Sequence, residues 1–168
     1  MRELEASDCS PDYVAWLAEP EINRYLETRH SVQDEQSIVA FIEAVRARDN
    51  EFLFGMFVRD GGRHIGNIKV GPIQPYHRLA DVSLFVGACD CWGMGFAAEA
   101  IAALSRYAFD ELGVLKLSAS MYAPNLGSKH SFLKVGYREE GLRRSHYRLG
   151  QVRSDLIELG LLPTDLEG

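Results

Sequence analysis

The chain has 168 residues, 46% hydrophobic and 25% charged, with a net charge of −6. This is an ordinary globular composition at one-domain length (1–168), long enough to bury about two-thirds of its unfolded surface without staples. The acidic balance argues against a nucleic-acid partner, which requires a basic surface, although the stretch from Arg138 to Arg153 is locally basic. The first eight residues hold no apolar signal core, and no apolar run approaches membrane-spanning length, so a cytoplasmic protein with no membrane contact is expected. The three cysteines, Cys9, Cys89 and Cys91, read as reduced thiols. Cys89-x-Cys91 has no accompanying Cys or His pair at zinc spacing, so no metal is expected.

Taken in chain order, residues 2–5 suit a short first strand. Ser10-Pro11 reads as a helix start, with Ser10 as N-cap and Pro11 in the first turn. Val14, Leu17, Ile22, Tyr25 and Leu26 keep helical spacing across a break at Pro20. Ser31 is expected to cap a second helix that buries Ile38, Phe41, Ile42 and Val45. Two strands follow, Phe52 to Arg59 and His64 to Val70, joined by the hairpin signal Asp60-Gly61-Gly62. Leu79 to Val86 is a further strand. A helix from Ala97 to Leu112 ends at Gly113, and Lys116 to Met121 returns as a strand, parallel to the one before the helix. Asn125 to Val135 is a short helix stopped by Gly136. Tyr137–Arg148 and Val152–Leu161 form a last hairpin, and the polar tail after Pro163 is expected to fray. The order β-α-α-β-β-β-α-β-α-β-β predicts an α/β (α+β) fold with a mixed, mostly antiparallel sheet and helices on both faces.

The most informative stretch is Trp92-Gly93-Met94-Gly95-Phe96-Ala97-Ala98-Glu99, a glycine turn between a strand and a helix. Such a turn leaves helix N-terminal amides without partners, on the positive end of the helix dipole, and so suits a phosphate or pyrophosphate. Gly93-x-Gly95-x-x-Ala98 formally matches the dinucleotide fingerprint. Antiparallel hairpins flank it, however, and the next strand, from Lys116 to Ser120, lacks the acidic residue that holds a ribose. The segment instead resembles the signature of the GNAT N-acetyltransferase superfamily, Gln/Arg-x-x-Gly-x-Gly/Ala, with Trp92 in the first position. Trp-Gly-x-Gly-aromatic-Ala-x-Glu-Ala, fitted by Trp92 to Ala100, resembles the branch that contains the ribosomal-protein N-terminal acetyltransferases. Trp16 to Ile22, Asn125 to Ser128, Leu133 to Tyr137 and Gly160 to Leu162 resemble further segments of that branch, so the resemblance covers nearly the full chain.

The resemblance implies acetyl-CoA as co-substrate and transfer of its acetyl group to a primary amine by direct attack on the thioester. It implies strands splayed beside the coenzyme, with pantetheine along Leu84 to Gly87 and pyrophosphate on the amides of Gly93 to Ala98. The implied coenzyme contacts are Phe85, Val86, Trp92, Gly93, Met94, Gly95, Phe96, Ala97, Ala98 and Asn125. A backbone N–H at Phe85 or Val86 would serve the carbonyl oxygen. Asp81 is the candidate base, with His77 in reserve, and Ser128 is the candidate proton donor to the thiolate. Asn125 equally suits a plain helix N-cap, and Ser128 a first-turn serine stabilising its own backbone. Phe132 stands where many family members carry a tyrosine acid. The acceptor region would draw on Tyr25, Glu27, Arg29 and His30, and on Arg143, Arg144, His146 and Tyr147, a cluster suited to an anionic acceptor. The acceptor could be a protein N-terminus, a small-molecule amine or a nucleotide-linked amino sugar of surface-polysaccharide synthesis. A catalytically silent acyl-CoA-binding module is the rival class. A homodimer is a family-level expectation.

Overall fold

The computed structural model describes residues 1–166; Glu167 and Gly168 lie outside the described residues. The chain divides into two compact units. The first comprises Met1–Lys69 and Leu84–Met94, and the second Val70–Ser83 together with the chain from Gly95 onward.

The first unit starts with β1 (Arg2–Glu3), shorter than expected, then α1 (Pro11–Ala18), α2 (Pro20–Asn23) and α3 (Glu35–Arg46). Ser10 caps α1 by accepting from the Tyr13 N–H at 3.2 Å, as its position suggests. The cap of α3 is Asp34, not Ser31. Asp34 forms a reciprocal pair with Ser37: its carboxylate accepts from the Ser37 N–H at 2.8 Å, and the Ser37 hydroxyl faces the Asp34 N–H at 3.0 Å. A carboxylate that satisfies a first-turn amide in this way displaces the helix start three residues along. Ser31 is left to close the preceding turn on the Thr28 carbonyl. Ile38, Ile42 and Val45 are buried as expected, but Phe41, at the rim of the same stripe, is 46% exposed. Their partners are Leu4, Tyr13, Leu17 and Leu53. The hairpin strands are β2 (Phe52–Phe57) and β3 (His64–Val70), with Gly61 and Gly62 both in the left-handed region that their turn demands.

β4 (Leu79–Val86) runs through the boundary between the units. In the second unit follow α4 (Phe96–Asp110), β5 (Lys116–Tyr122), α5 (Leu126–Val135), β6 (Arg138–Leu149) and β7 (Val152–Leu161). α4 buries Ala98, Ile101, Leu104, Ser105 and Ala108 at helical spacing. It ends two residues before Leu112, in a turn where Gly113 has φ +64° and the Val114 N–H returns to the Ala108 carbonyl at 3.0 Å. The β4–β5 ladder is parallel and pairs Leu79, Ala80 and Asp81 with Lys116, Leu117 and Ser118. β5 and β6 each pair antiparallel with β7. The seven strands follow the order β1-β2-β3-β4-β5-β7-β6, a mixed and mostly antiparallel open sheet. Buried Leu117, Ala119 and Met121 alternate along β5 with Ser118, Ser120 and Tyr122 on the other face. The tail after Pro163 is not frayed over its described length. It forms a 3-10 turn, and Asp165 is ion-paired with Arg138 at 2.6 Å.

Candidate active site

The glycine turn is an exposed structure. Gly87 and Ala88 both donate to the Ile65 carbonyl, at 2.8 and 3.1 Å, and a 3-10 turn over Cys89–Cys91 leads to Trp92. Gly93 has φ +74° and Gly95 φ +91°. A Cβ built on either would meet nothing within 4 Å. Backbone conformation, not crowding by protein atoms, therefore demands glycine at both positions. The amides of Phe96, Ala97 and Ala98, in the first turn of α4, have no intrahelical acceptor, and the N-cap Gly95 has no side chain to supply one. The first closed helical bond is from the Glu99 N–H to the Gly95 carbonyl, at 3.0 Å. Trp92 to Gly95 are exposed and Met94 is 66% exposed, which leaves the positive end of a 15-residue helix open to solvent. An anionic diphosphate fits this cradle.

Two side chains steady the approach to the turn. Arg63, from the β2–β3 connection, ion-pairs with Asp90 at 2.5 Å and reaches the Cys91 sulfur at 3.7 Å. The Arg63 guanidinium holds the Asp90 carboxyl below its usual range. Trp92 donates its indole N–H to the Val86 carbonyl at 2.8 Å. Arg63 escaped the sequence reading because its partner is far away in the chain and no local pattern links them. Cys89 is exposed and Cys91 buried, and both are free thiols. Partial desolvation and the nearby carboxylates of Glu21, Glu19 and Asp90 push the Cys89 thiol up, away from the reactive thiolate.

Phe85 and Val86 differ in direction. Along an antiparallel strand, the N–H and C=O of one residue point to the same side, and the next residue's to the other. The Gly87 N–H bonds to β3 through Ile65, so Phe85 also faces β3 and Val86 faces away from it. The Trp92 indole reaches the Val86 carbonyl on that outer side. The Phe85 ring packs with Tyr13 and Trp16, at centroid distances of 5.9 and 6.4 Å. Burial raises the Tyr13 hydroxyl to about 12, so it stays protonated.

In the second unit, Asp81 is exposed, opposite Ser118 in the β4–β5 ladder. Asn125 caps α5, its side-chain oxygen accepting from the Ser128 N–H at 3.4 Å. Ser128 is half-buried, in the first turn. Phe132 is 2% exposed and packs edge-on against Tyr137 at 4.8 Å, so it is a core residue. His77 lies exposed in the loop before β4, its ring against Tyr76.

In each unit, part of the charge expected to serve the acceptor is already engaged. Arg29 donates to the carbonyls of Arg24 and Leu26, at 2.9 and 3.0 Å. His30 lies 3.9 Å from Glu27, and Tyr25 is half-buried beside Arg24. Arg143 pairs with Glu158 at 2.6 Å, while Arg144 and His146 are exposed. Tyr147 stacks on Tyr122 with centroids 4.6 Å apart. Asp155 was not singled out by the sequence reading, yet it accepts from the Ser145 N–H at 2.7 Å.

No helix among the described residues is long and apolar enough to cross a membrane. Residues 1–138 match the domain family described as Acetyltransferase (GNAT) domain. The uncharacterized N-acetyltransferase YoaA of Bacillus subtilis (strain 168) is 26% identical over 148 residues, covering 87% of this chain and 82% of YoaA. The probable N-acetyltransferase YjcK of the same organism is 27% identical over 139 residues, covering 82% of this chain and 76% of YjcK. Among solved structures, spermidine N-acetyltransferase from Vibrio cholerae in complex with CoA and spermine superposes with a TM-score of 0.87. It is 20% identical, and the match covers 99% of this chain and 96% of that one. An exposed glycine turn that opens a helix after a β-strand, within this strand order and under this domain match, identifies the chain as a member of the GNAT acetyltransferase family.

Proposed function

We propose that the chain acts as one acetyl-CoA-dependent N-acetyltransferase domain of the ribosomal-protein N-terminal acetyltransferase-like branch, transferring an acetyl group to a primary amine. The observation that carries this reading is the open N-terminus of α4, where glycines at 93 and 95 hold a left-handed turn beneath unpartnered amides. When bound, acetyl-CoA supplies an acetyl group activated as a thioester. The amides of Phe96 to Ala98 bind its diphosphate, Gly93, Met94 and Gly95 shape the turn, and Trp92 fixes that turn to the end of β4. The outer edge of β4 offers pantetheine a strand to pair with, and Asn125 steadies the start of α5.

The reaction forms a C–N bond and breaks a C–S bond. The amine must be neutral to attack, and Asp81 accepts its proton, directly or through a water. The Val86 N–H, which points away from β3, donates to the carbonyl oxygen as it gains negative charge. Ser128 Oγ–H donates to the departing thiolate and regains a proton from solvent, to which Asp81 releases the one it took. A cytoplasmic location and a homodimer remain part of this proposal. An amino-sugar acceptor is the alternative within the same chemistry, and a silent acyl-CoA-binding module is the rival class.

The test is release of free CoA thiol from acetyl-CoA, measured against N-terminal peptides, polyamines and nucleotide-linked amino sugars, alongside calorimetric CoA binding. Turnover with one acceptor class supports the reading. CoA binding without turnover across the panel favours the silent module, and absence of CoA binding refutes both.

A further inference from the structure

We propose that the β6–β7 hairpin selects an acceptor that carries an anionic group, a carboxylate or phosphate, close to its amine; this rests on the acetyltransferase reading above. The sequence from Leu142 to Arg153 holds Arg143, Arg144, Arg148 and Arg153 and no carboxylate, within a chain of net charge −6. Only Arg143 among these four has an ion-pair partner within the described residues, Glu158. Arg148 and Arg153 sit directly opposite each other in the β6–β7 register, and both are exposed. Like charges facing each other across an antiparallel pair are destabilising. An anion between or beside them relieves that repulsion, and an Arg pair is well suited to bind one through planar, two-point hydrogen bonds.

The same hairpin has a built shape. Arg143 pairs with Leu156 and Tyr147 with Ser154, so Arg144, Ser145 and His146 bulge out opposite the single residue Asp155. Ser145 has φ +50°, an uncommon conformation for serine, and its N–H is held by Asp155 Oδ1 at 2.7 Å. The Asp155 carbonyl accepts from the Ala123 N–H at 3.0 Å, which ties the bulge to the end of β5, just before Asn125. From the bulge a row of rings leads inward. Exposed His146 meets half-buried Tyr147 at 4.8 Å, and Tyr147 stacks on buried Tyr122 at 4.6 Å. Small, buried Ser154 pairs with Tyr147 on the intervening strand and leaves room for that stack. Bulges of this kind re-aim side chains beside functional sites. Asp155 is thus a positioning residue for Arg144 and His146 beside the aromatic stack, while Arg148 and Arg153, one register step beyond Tyr147 and Ser154, lie on the other face of the same hairpin. A basic rim also repels a polyamine.

The experiment measures binding to the CoA-loaded protein by calorimetry, with two matched pairs of amines and one polycation. The peptide Ser-Glu-Glu-Leu amide is compared with Ser-Gln-Gln-Leu amide, glucosamine 6-phosphate with glucosamine, and spermidine is the fifth probe. In at least one pair the anionic member binds 10-fold or more tightly than its neutral counterpart, and the responding pair tells carboxylate from phosphate. Arg148→Ser with Arg153→Ser reduces that preference to threefold or less while the CoA affinity holds. The double variant melts no lower than wild type, because the opposed charges are gone. Asp155→Ala loses the preference, and Asp155→Asn, whose amide oxygen still accepts from Ser145, retains it. Equal binding within both pairs, a preference that survives the double variant, or tighter binding of spermidine than of all four other probes overturns the proposal. Acceptor binding without thiol release counts against the acetyltransferase reading and leaves this one standing.

Discussion

Phe132→Tyr restores the residue that many GNAT enzymes use as an acid, and the structure argues that it brings no catalytic gain. Phe132 is 2% exposed, with its ring edge-on to Tyr137 at 4.8 Å. The polar pair beside it is already closed: Tyr137 and Ser105 share a hydrogen bond at 3.3 Å, and burial pushes the Tyr137 hydroxyl far up. A new hydroxyl has to fit into packed volume and lose its water. Overpacking costs about 1–3 kcal/mol, and a buried unsatisfied hydroxyl about 1–3 kcal/mol. A combined cost of about 3 kcal/mol in a chain of this length lowers Tm by roughly 6–12 °C. Thermal unfolding followed by circular dichroism reads that shift, and thiol release reads kcat. The expected pair of results is a lower Tm with kcat not raised. A Tm unchanged within about 2 °C together with a several-fold higher kcat would show that position 132 faces the reacting sulfur, and the placement argued here would be wrong.

Other outcomes test the remaining parts. Gly95→Ala forces an L-residue into φ +91° with open space around its Cβ, so it loses about 1–2 kcal/mol of stability yet folds, while its CoA dissociation constant rises at least roughly 10-fold; unchanged affinity in calorimetry removes the turn from the coenzyme site. Asp81→Asn lowers kcat/KM by about 100-fold and abolishes the acid limb of the pH–rate profile, whereas an unaltered rate and profile removes Asp81 as base. Ser128→Ala lowers kcat by roughly 10-fold, less than for a poorer leaving group because a thiolate departs tolerably unaided; an undiminished rate dismisses the donor role. Burial pushes the Glu51 carboxyl up, but its bonds to Lys69 at 2.6 Å and to Arg48 outweigh this and hold it below the usual carboxylate range. A folded value below the unfolded one gives stability that is present above about pH 4.3 and lost as pH falls through the folded value. Glu51→Gln therefore flattens the acid side of a stability–pH curve, at a cost of about 1–2 kcal/mol at neutral pH, because solvent screens Arg48.

The element order was legible because each element carries its own local chemistry. His64–Val70 and Leu79–Val86 keep a strand pattern bounded by glycine or turn residues, and their limits match the observed ones. The helix ends at Gly113 and Gly136 follow from positive φ, which glycine alone adopts freely. The misplaced cap of α3 has an equally local cause. Ser31 and Asp34 are both good caps, and only the reciprocal bond with Ser37 decides between them. Phe41 belongs to the stripe by hydrophobicity and spacing, but at about 100° per residue it lies at the rim, about 40° beyond Val45, while Ile38, Ile42 and Val45 fill the middle.

The candidate site was legible only where it consists of backbone. The turn at Gly93 and Gly95 advertises itself in sequence because few residues tolerate its angles. The choice between Phe85 and Val86 was not legible, since it depends on which edge of β4 the Gly87 N–H commits to β3. The hairpin is a sharper case. Residues 143–148 read as plain strand, and the alternation rule assigns their side chains to two faces. The structure instead inserts a bulge, because the Asp155 carboxylate satisfies the Ser145 amide that the ladder leaves over. A single carboxylate on the neighbouring strand thereby sets where Arg144 and His146 emerge. Register is thus the quantity that a pattern of residue types does not carry. The proposed recognition in this hairpin depends on it: with the bulge removed, Arg144 and His146 would lie in a regular edge strand and lose their placement beside the Tyr122–Tyr147 stack.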